Sequence, residues 1–435
     1  MNKNVETRPL ALRLEFISLG DELLLGLRPN SHLTYIGRQL AKFGHTIQRN
    51  VVIRDQPEDI ARIFSESWDH SDVIITTGGL GPTTDDLTRE TISEIFGLDL
   101  VHNDDVEKAI RERFAGIGRD VTENNLRQAK ILDGAEVLPN EYGTAPGMWL
   151  RKDGKHLVML PGPPNELYPM FEEQVLPRLQ AEGLIGSGQA YLQVRTCGVG
   201  ESHLETKLQP VFDRAGELLQ VAYCAHDGLV DLRLSSLDER SFSWQQVEEV
   251  GDECREILGT DYVCFGDHSV AQLIMQQLRA LGRTVAVGES CTGGLLSNAF
   301  TDIPGASQIF AGGVVCYNTA AKVEMLGVPD SLIRQHGVVS AECAAAMATG
   351  VSEKFSTDYG IGITGIAGPG GGTCSCPVGT VFIGYHAPGG VWSHLFRFPS
   401  DRLSVKSRSV ATALDLMRRK LKESEMEDVL SSMIT

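Results

Sequence analysis

The chain has 435 residues, 42% hydrophobic and 22% charged, which suits ordinary buried cores in two or three domains and excludes a disordered or fibrous polymer. The net charge is −18, yet residues 268 to 435 hold 13 basic and 13 acidic side chains, so the whole excess falls in residues 1 to 267 and a nucleic-acid-coating role is disfavoured. No run of about 18 apolar residues occurs, so no membrane partner is expected.

Residues 1 to about 11 are polar with Pro9 and lack a continuous apolar segment, and read as a short loose arm without a secretory signal. From Leu12 to about Leu179, strand and helix patterns alternate, as in a doubly wound α/β domain. Tight loops follow its apolar strands: Ser18 to Leu25, Gly143 to Gly147, Leu160 to Glu166, and Gly78 to Thr88 after the strand Asp72 to Thr77. Such loops build a crevice at the carboxyl edge of a parallel sheet. Gly78, Gly79 and Gly81 let backbone amides approach a phosphate, while Asp85 or Asp86 can hold a hard cation or a water. Aspartates in a helix's first turn also favour the helix dipole with no chemistry at all.

Residues 185 to 265 change character. Alternating segments at Tyr191 to Thr196 and Leu229 to Leu234, with helical patterns at Glu201 to Phe212 and Phe242 to Leu258, make a small α+β module without a catalytic cluster.

The last domain opens with a helix, Val270 to Leu281, and then a strand through Val285 to Glu289 leading into Ser290-Cys-Thr-Gly-Gly294. A hydroxyl between a strand end and a helix start can face free N–H groups of Cys291, Thr292, Gly293 and Gly294, which suit a developing oxyanion. Alternatively, Ser290 merely caps the helix. A short buried strand then delivers Tyr317 and, thirty-two positions after Ser290, Lys322. A lysine held beside a serine in a partly dry pocket can take its proton, and Tyr317 would orient the amine or relay the proton. Cys291 is a rival nucleophile. The stretch from Gly360 to Thr373 is an apolar strand opening into a glycine-rich loop whose amides suit a phosphate. All nine cysteines lie from Cys197 onward, an odd total that argues for reduced thiols in a cytoplasm, and the Cys374-Ser-Cys376 pair has no partner pair for a zinc site. Ser404 to Leu421 reads as a long helix with Arg402 and Arg408 at its start and a charged tail from Lys422 to Asp428, and His336 as a loop or cap residue.

From Gly288 to about Ala413 the chain resembles the C-terminal domain of CinA proteins, the PncC or nicotinamide-nucleotide amidase domain. The matching strings are Glu289 to Gly294, Thr301 to Ser307, Tyr317 with Lys322, His336 to Ser340, Thr364 to Pro369 and Pro377 to Val381. The resemblance implies hydrolysis of the carboxamide of nicotinamide mononucleotide without a cofactor. Ser290 would be the nucleophile and Lys322 and Tyr317 its basic partners, with Thr292, Gly293, Gly294, Ser307, Thr364, Gly365 and Arg402 around the substrate. Two departures stand out: Tyr317-Asn318-Thr319 replaces Tyr-Ser-Asn, and Gly372 to Pro377 lacks the acidic residues and lysine common there.

The first half resembles the N-terminal CinA domain, which is similar to molybdopterin-binding proteins of the MoaB and MogA type. This implies metal-dependent ADP-ribose pyrophosphatase activity, with a divalent Mg-type cation on Asp85 and Asp86 and a pocket including Glu22, Asn30, Thr83 and Glu166; Asp21 stands where most relatives have Asn. The central module matches a KH-like region of CinA relatives. There Gly198-Val-Gly200 only loosely echoes a nucleic-acid-gripping loop, so a spacer or dimer role is favoured over nucleic-acid binding. The expectation is therefore an α/β chain of three parts, 1–180, 181–267 and 268–435, a cytoplasmic homodimer acting on small phosphorylated nucleotides. The alternatives are a molybdopterin-like ligand in the first half, or a non-enzymatic competence or damage-response adaptor.

Overall fold

The computed structural model describes residues 12 to 434, apart from Asp227 and Glu239, and from residue 424 onward only the helical backbone. The loose arm expected at residues 1 to 11 lies outside the described residues. The chain forms two compact units, one ending at Tyr191 and one beginning at Leu192.

In the first unit the six-stranded sheet runs Arg49–Ile53, Leu14–Leu19, Val73–Thr77, Lys155–Leu160, Gly147–Lys152, Glu136–Leu138. The first four strands are parallel and the last two antiparallel. Val73 to Thr77 is buried along its whole length, as a central strand covered on both faces must be. One apolar layer gathers Phe16, Ile75 and Phe171, the other Ile17, Ile74 and Phe64. Because the four parallel strands share a direction, the loops after Leu19, Ile53, Thr77 and Leu160 all emerge on one edge.

The second unit joins the central module to the C-terminal domain. The module is a four-stranded antiparallel sheet, Leu219–His226, Leu229–Ser236, Leu192–Cys197, Tyr262–Phe265, with helices Glu201–Ala215 and Trp244–Leu258 packed on it through Leu204, Leu208, Val247 and Cys254. Its neighbour carries a five-stranded sheet in the order Phe310–Val315, Val285–Glu289, Tyr359–Gly365, Thr380–Ala387, Gly390–Arg397, the first three parallel and the rest antiparallel. Phe310 to Val315 is an edge strand with alternate residues open to solvent, and so corrects the expectation of a buried strand there. The helix Val270–Leu281 has the expected limits, whereas the last helix, Arg402–Ile434, continues through the segment expected to be a charged tail.

Two glycines of the apolar strand that opens the Gly360 stretch serve packing, ahead of the glycine-rich loop. A Cβ at Gly362 would lie 2.6 Å from the Ala348 nitrogen, and one at Gly360 would lie 2.9 Å from Ser352 Cβ. The helix Ala341–Phe355 can therefore press directly onto the strand backbone. Gly362→Ala should lower the free energy of unfolding by about 1–3 kcal/mol, the usual cost of overpacking a tight core. A urea melt followed by circular dichroism reads this as a lower midpoint at unchanged slope.

Candidate active site

Parallel pairing of Val285–Glu289 with both Phe310–Val315 and Tyr359–Gly365 brings Ser290, Cys316-Tyr317 and Gly365 to the same carboxyl edge. The Ser290 N–H extends the ladder to the Ile363 carbonyl at 2.9 Å, and the Cys316 N–H does the same to Glu289 at 2.8 Å. The chain after Cys316 enters the helix Thr319–Leu326, capped by Asn318, whose side chain accepts the Ala321 N–H at 2.8 Å. One turn in, Lys322 points back beneath the strand ends. Its Nζ lies 2.9 Å from Ser290 Oγ and donates to the Cys316 carbonyl at 2.9 Å. Lys322 is 2% exposed and Ser290 7%, so the pair is shielded from bulk water.

No helix begins directly after Ser290. Residues 291 to 294 form a tight turn, with Gly293 and Gly294 at positive φ, and the helix Leu295–Thr301 starts only afterwards. Its amino end is capped by Glu289, a residue outside the expected site. The buried carboxylate accepts the N–H groups of Gly294 at 3.0 Å, Leu296 at 3.0 Å and Ser297 at 2.7 Å, plus the Ser297 hydroxyl at 2.7 Å. The Gly293 N–H bonds the Ser290 carbonyl at 3.2 Å. Of the four N–H groups expected to face an oxyanion, those of Gly293 and Gly294 are thus engaged, and those of Cys291 and Thr292 take no part in these bonds. Ser290 is not the cap of that helix, because Glu289 is.

Cys291 is buried in the apolar core, and burial pushes its thiol up to about 11, so it stays protonated and inert at neutral pH. Tyr317 is 60% exposed, and its hydroxyl accepts from Arg402 at 2.8 Å, where contact with Lys322 was expected. Arg402 also donates to the Gly368 carbonyl at 2.7 Å, so it does reach the site and straps two of its loops together. The Thr364 hydroxyl is buried and donates to the Val338 carbonyl at 2.7 Å, and the buried Thr292 hydroxyl has no hydrogen-bond partner among the described residues. Gly365 closes against the neighbouring strand, where a Cβ would lie 2.8 Å from the Thr380 carbonyl oxygen. Ser307 precedes Phe310, which pairs with Val285 and not with Glu289. It therefore stands at the opposite edge of the sheet from Ser290, a strand length of roughly 15 Å away at ~3.3 Å per residue. His336 ends a helix and faces Glu342 at 3.2 Å, as a cap residue does. Cys374 and Cys376 are free thiols in a turn where the Cys376 N–H bonds Thr373 Oγ1 at 3.0 Å.

In the first unit the four carboxyl-edge loops enclose a cavity of about 310 Å³ lined by Gly78, Gly79, Gly81, Glu22, Asp85, Asp86 and Glu166, together with Asp55. Asp86 Oδ2 accepts the Thr83 N–H at 2.9 Å and its hydroxyl at 2.5 Å, which closes the loop on itself. Thr83 thus braces Asp86 and is not among the residues lining the cavity. Asn30 caps the helix Ser31–Ala41 and donates to Ser18 Oγ at 2.8 Å, and it too stands outside the lining, which corrects its expected place. Glu166 is held by Asn140 Nδ2 at 2.7 Å. Behind the loop Arg127 donates to Glu90 at 3.2 Å, and Arg89 is buried with burial lowering its pKa. Asp55, which follows the strand Arg49–Ile53, was not foreseen. Burial first, and then the negative charges of Asp21, Glu22, Asp86 and Asp85, raise its carboxyl to about 6. No three His, Cys, Asp or Glu side chains converge as a ligand set among the described residues. The donors therefore fit only a hydrated hard cation held by one or two carboxylates, with Asp85 and Asp86 the candidates.

The architecture defines an α/β chain of two sheet-edge sites with an α+β module between them in sequence. Residues 15–181 match the family described as probable molybdopterin binding domain, 193–264 the damage-inducible protein CinA KH domain, and 267–421 the CinA C-terminal domain. A CinA-like protein of Dictyoglomus turgidum is 38% identical over 412 residues, covering 94% of this chain and 99% of its own. A CinA-like protein of Rippkaea orientalis is 39% identical over 415 residues, covering 94% and 99%. The solved competence/damage inducible protein CihA of Agrobacterium tumefaciens is 37% identical over 35% of this chain and 93% of its own, with a TM-score of 0.34. The chain belongs to the CinA family, with a MoaB/MogA-like first domain, a KH-like module and a CinA C-terminal domain. Among the described residues no helix is long and apolar enough to cross a membrane.

Two outcomes follow from this geometry. Glu289→Ala leaves three buried N–H groups and a hydroxyl without their acceptor, at about 1–3 kcal/mol for each such group, and should lower the melting temperature and the activity of the Ser290 site together. Asp55 has a folded pKa above its unfolded value of 3.8, so its ionisation opposes folding. The penalty is absent below about pH 4, grows up to about pH 6 and is complete above it. Asp55→Asn should accordingly raise the urea midpoint at pH 7.5, with the gain shrinking to nothing by pH 4.

Proposed function

We propose that the C-terminal site is a Ser-Lys amidase that releases ammonia from nicotinamide mononucleotide and leaves the nicotinate form. The observation that carries this reading is the 2.9 Å contact between Ser290 Oγ and Lys322 Nζ, both of them buried. With the amine neutral, the same contact is one in which the serine hydroxyl donates to Nζ. Ser290 Oγ bonds to the carboxamide carbon as its proton passes to Lys322, and the charge developing on the carbonyl oxygen is met by the Cys291 and Thr292 N–H groups. The C–N bond then breaks, Lys322 returns the proton to the leaving nitrogen, and ammonia departs. Water attacks the resulting ester, giving one proton to Lys322, and that proton restores the serine hydroxyl as the C–O bond to Ser290 breaks; the carboxylic acid so formed gives its remaining proton to solvent and leaves as the carboxylate. Arg402 ties Tyr317 to the Gly368 loop, and neither side chain takes part in the proton transfers.

For the first unit we propose cleavage of a dinucleotide-type pyrophosphate such as ADP-ribose, with a Mg-type cation supplying charge neutralisation from Asp85 and Asp86. The carboxylates crowded around Asp55, which add to the effect of burial in raising it, favour this, because a bound cation would relieve their repulsion. A pterin phosphate held by the same glycine loop is the competing reading.

Ammonia release measured with wild type, Ser290→Ala and Lys322→Ala should fall on the order of 10³-fold or more in both variants, persist in wild type under a chelator, and survive in Cys291→Ala. Equal release by Ser290→Ala removes the amidase. The pyrophosphatase should vanish with chelation and in Asp86→Ala while ammonia release continues.

A further inference from the structure

The last helix brings a second cation to the Ser290 turn. Lys406 lies one helical turn beyond Arg402 on the same face. Its Nζ comes within 3.8 Å of where a Cβ on Gly293 would stand, over the tight turn that begins at Ser290. The lysine is half-buried, and among the described residues its ammonium makes no hydrogen bond or ion pair. The carboxylates that could have answered it are engaged elsewhere. Asp401 accepts the Leu403 and Ser404 N–H groups at 2.9 and 3.1 Å and the Ser404 hydroxyl at 2.7 Å, and Glu289 is buried under the turn with its own donors. Arg402 is committed to Gly368 and Tyr317. No Lys or Arg occurs between Gly365 and Phe396, so the loop on the other side of the pocket brings no positive charge. A positive charge held over a reactive turn and left without an anion is a seat for an anion that arrives with the ligand.

We propose that Lys406 is the specificity-determining residue of this site, binding the phosphate of a phosphorylated amide and so selecting the nucleotide over the free nucleoside. The assignment rests on the amidase reading for its substrate. It gives the lysine a role in binding and none in the proton transfers of Ser290 and Lys322.

The test uses the full chain with nicotinamide mononucleotide and, as the probe lacking only the phosphate, nicotinamide riboside. Lys406→Ala should raise KM for the mononucleotide by about 10- to 100-fold, the effect of losing one charge-assisted hydrogen bond, with kcat changed by no more than a few-fold. The riboside should show the same KM in wild type and Lys406→Ala, and Lys406→Arg should recover most of the mononucleotide affinity. An equal change for both substrates, or none for either, overturns the proposal. Titration calorimetry of mononucleotide into Ser290→Ala and into the Ser290→Ala, Lys406→Ala double variant separates this from the chemistry. If wild type binds the mononucleotide without hydrolysing it, the amidase reading falls while a tenfold or larger loss in the double variant still supports Lys406. Equal affinity in the two, or no binding to either, overturns it.

Discussion

The second half of this protein is organised around a single buried contact, the one between the Ser290 hydroxyl and the Lys322 amine. An amine that far from water is tolerated because it has fixed acceptors, here Ser290 Oγ and the Cys316 carbonyl, and because the helix carrying it is locked in place by its Asn318 cap. That helix also needs room. A Cβ at Gly288 would stand 2.9 Å from Leu326 Cδ1, so the bare strand at that point lets the Leu326 side chain of the helix pack directly on it. The glycines under the Ala341–Phe355 helix follow the same rule: they permit backbone to approach backbone.

Glu289 shows how a catalytic turn can be kept rigid without using the catalytic residue. A buried carboxylate normally demands compensation. Here it receives four donors from one helix terminus, which is also where a negative charge is best placed. Ser290 is relieved of any capping duty, and its hydroxyl is left to Lys322.

The central module gives a different lesson about resemblance and use. Its Gly198-Val-Gly200 turn lies against Arg419 of the last helix, whose Nη2 donates to the Cys197 carbonyl at 2.9 Å, and Arg418 donates to the carbonyls of Tyr262 and Thr260 at 2.9 and 2.6 Å. Asp415 holds both arginines. The turn that only loosely echoes a nucleic-acid-gripping loop thus packs against the C-terminal helix, consistent with a structural role for an acidic module and with the single compact unit the two segments form.

Much of this was legible in the residues. Short continuous apolar runs mark Val73–Thr77 and Val285–Glu289, and the 3.6-residue period marks Val270–Leu281, each to within a residue, because each pattern is a local consequence of which faces must be apolar. The Ser290 and Lys322 pair and the Gly78 to Asp86 loop are short motifs whose chemistry is carried by residue type. Other assignments depended on strand order, which no local pattern contains. Ser307 and Ser290 flank adjacent parallel strands but sit at opposite ends of them, and only the register of Val285 with Phe310 reveals it. Tyr317 turns to Arg402, and Lys406 comes over Gly293, because a helix much further along the chain lies across the same edge. Asp55 enters the first crevice because its strand is an outer member of a parallel sheet whose loops all leave on one side. The sequence by itself determined which groups can do chemistry and which segments are strands or helices, since both are properties of a few neighbouring residues. The tertiary structure alone decided which of those groups meet, since that is set by contacts between residues far apart in the chain.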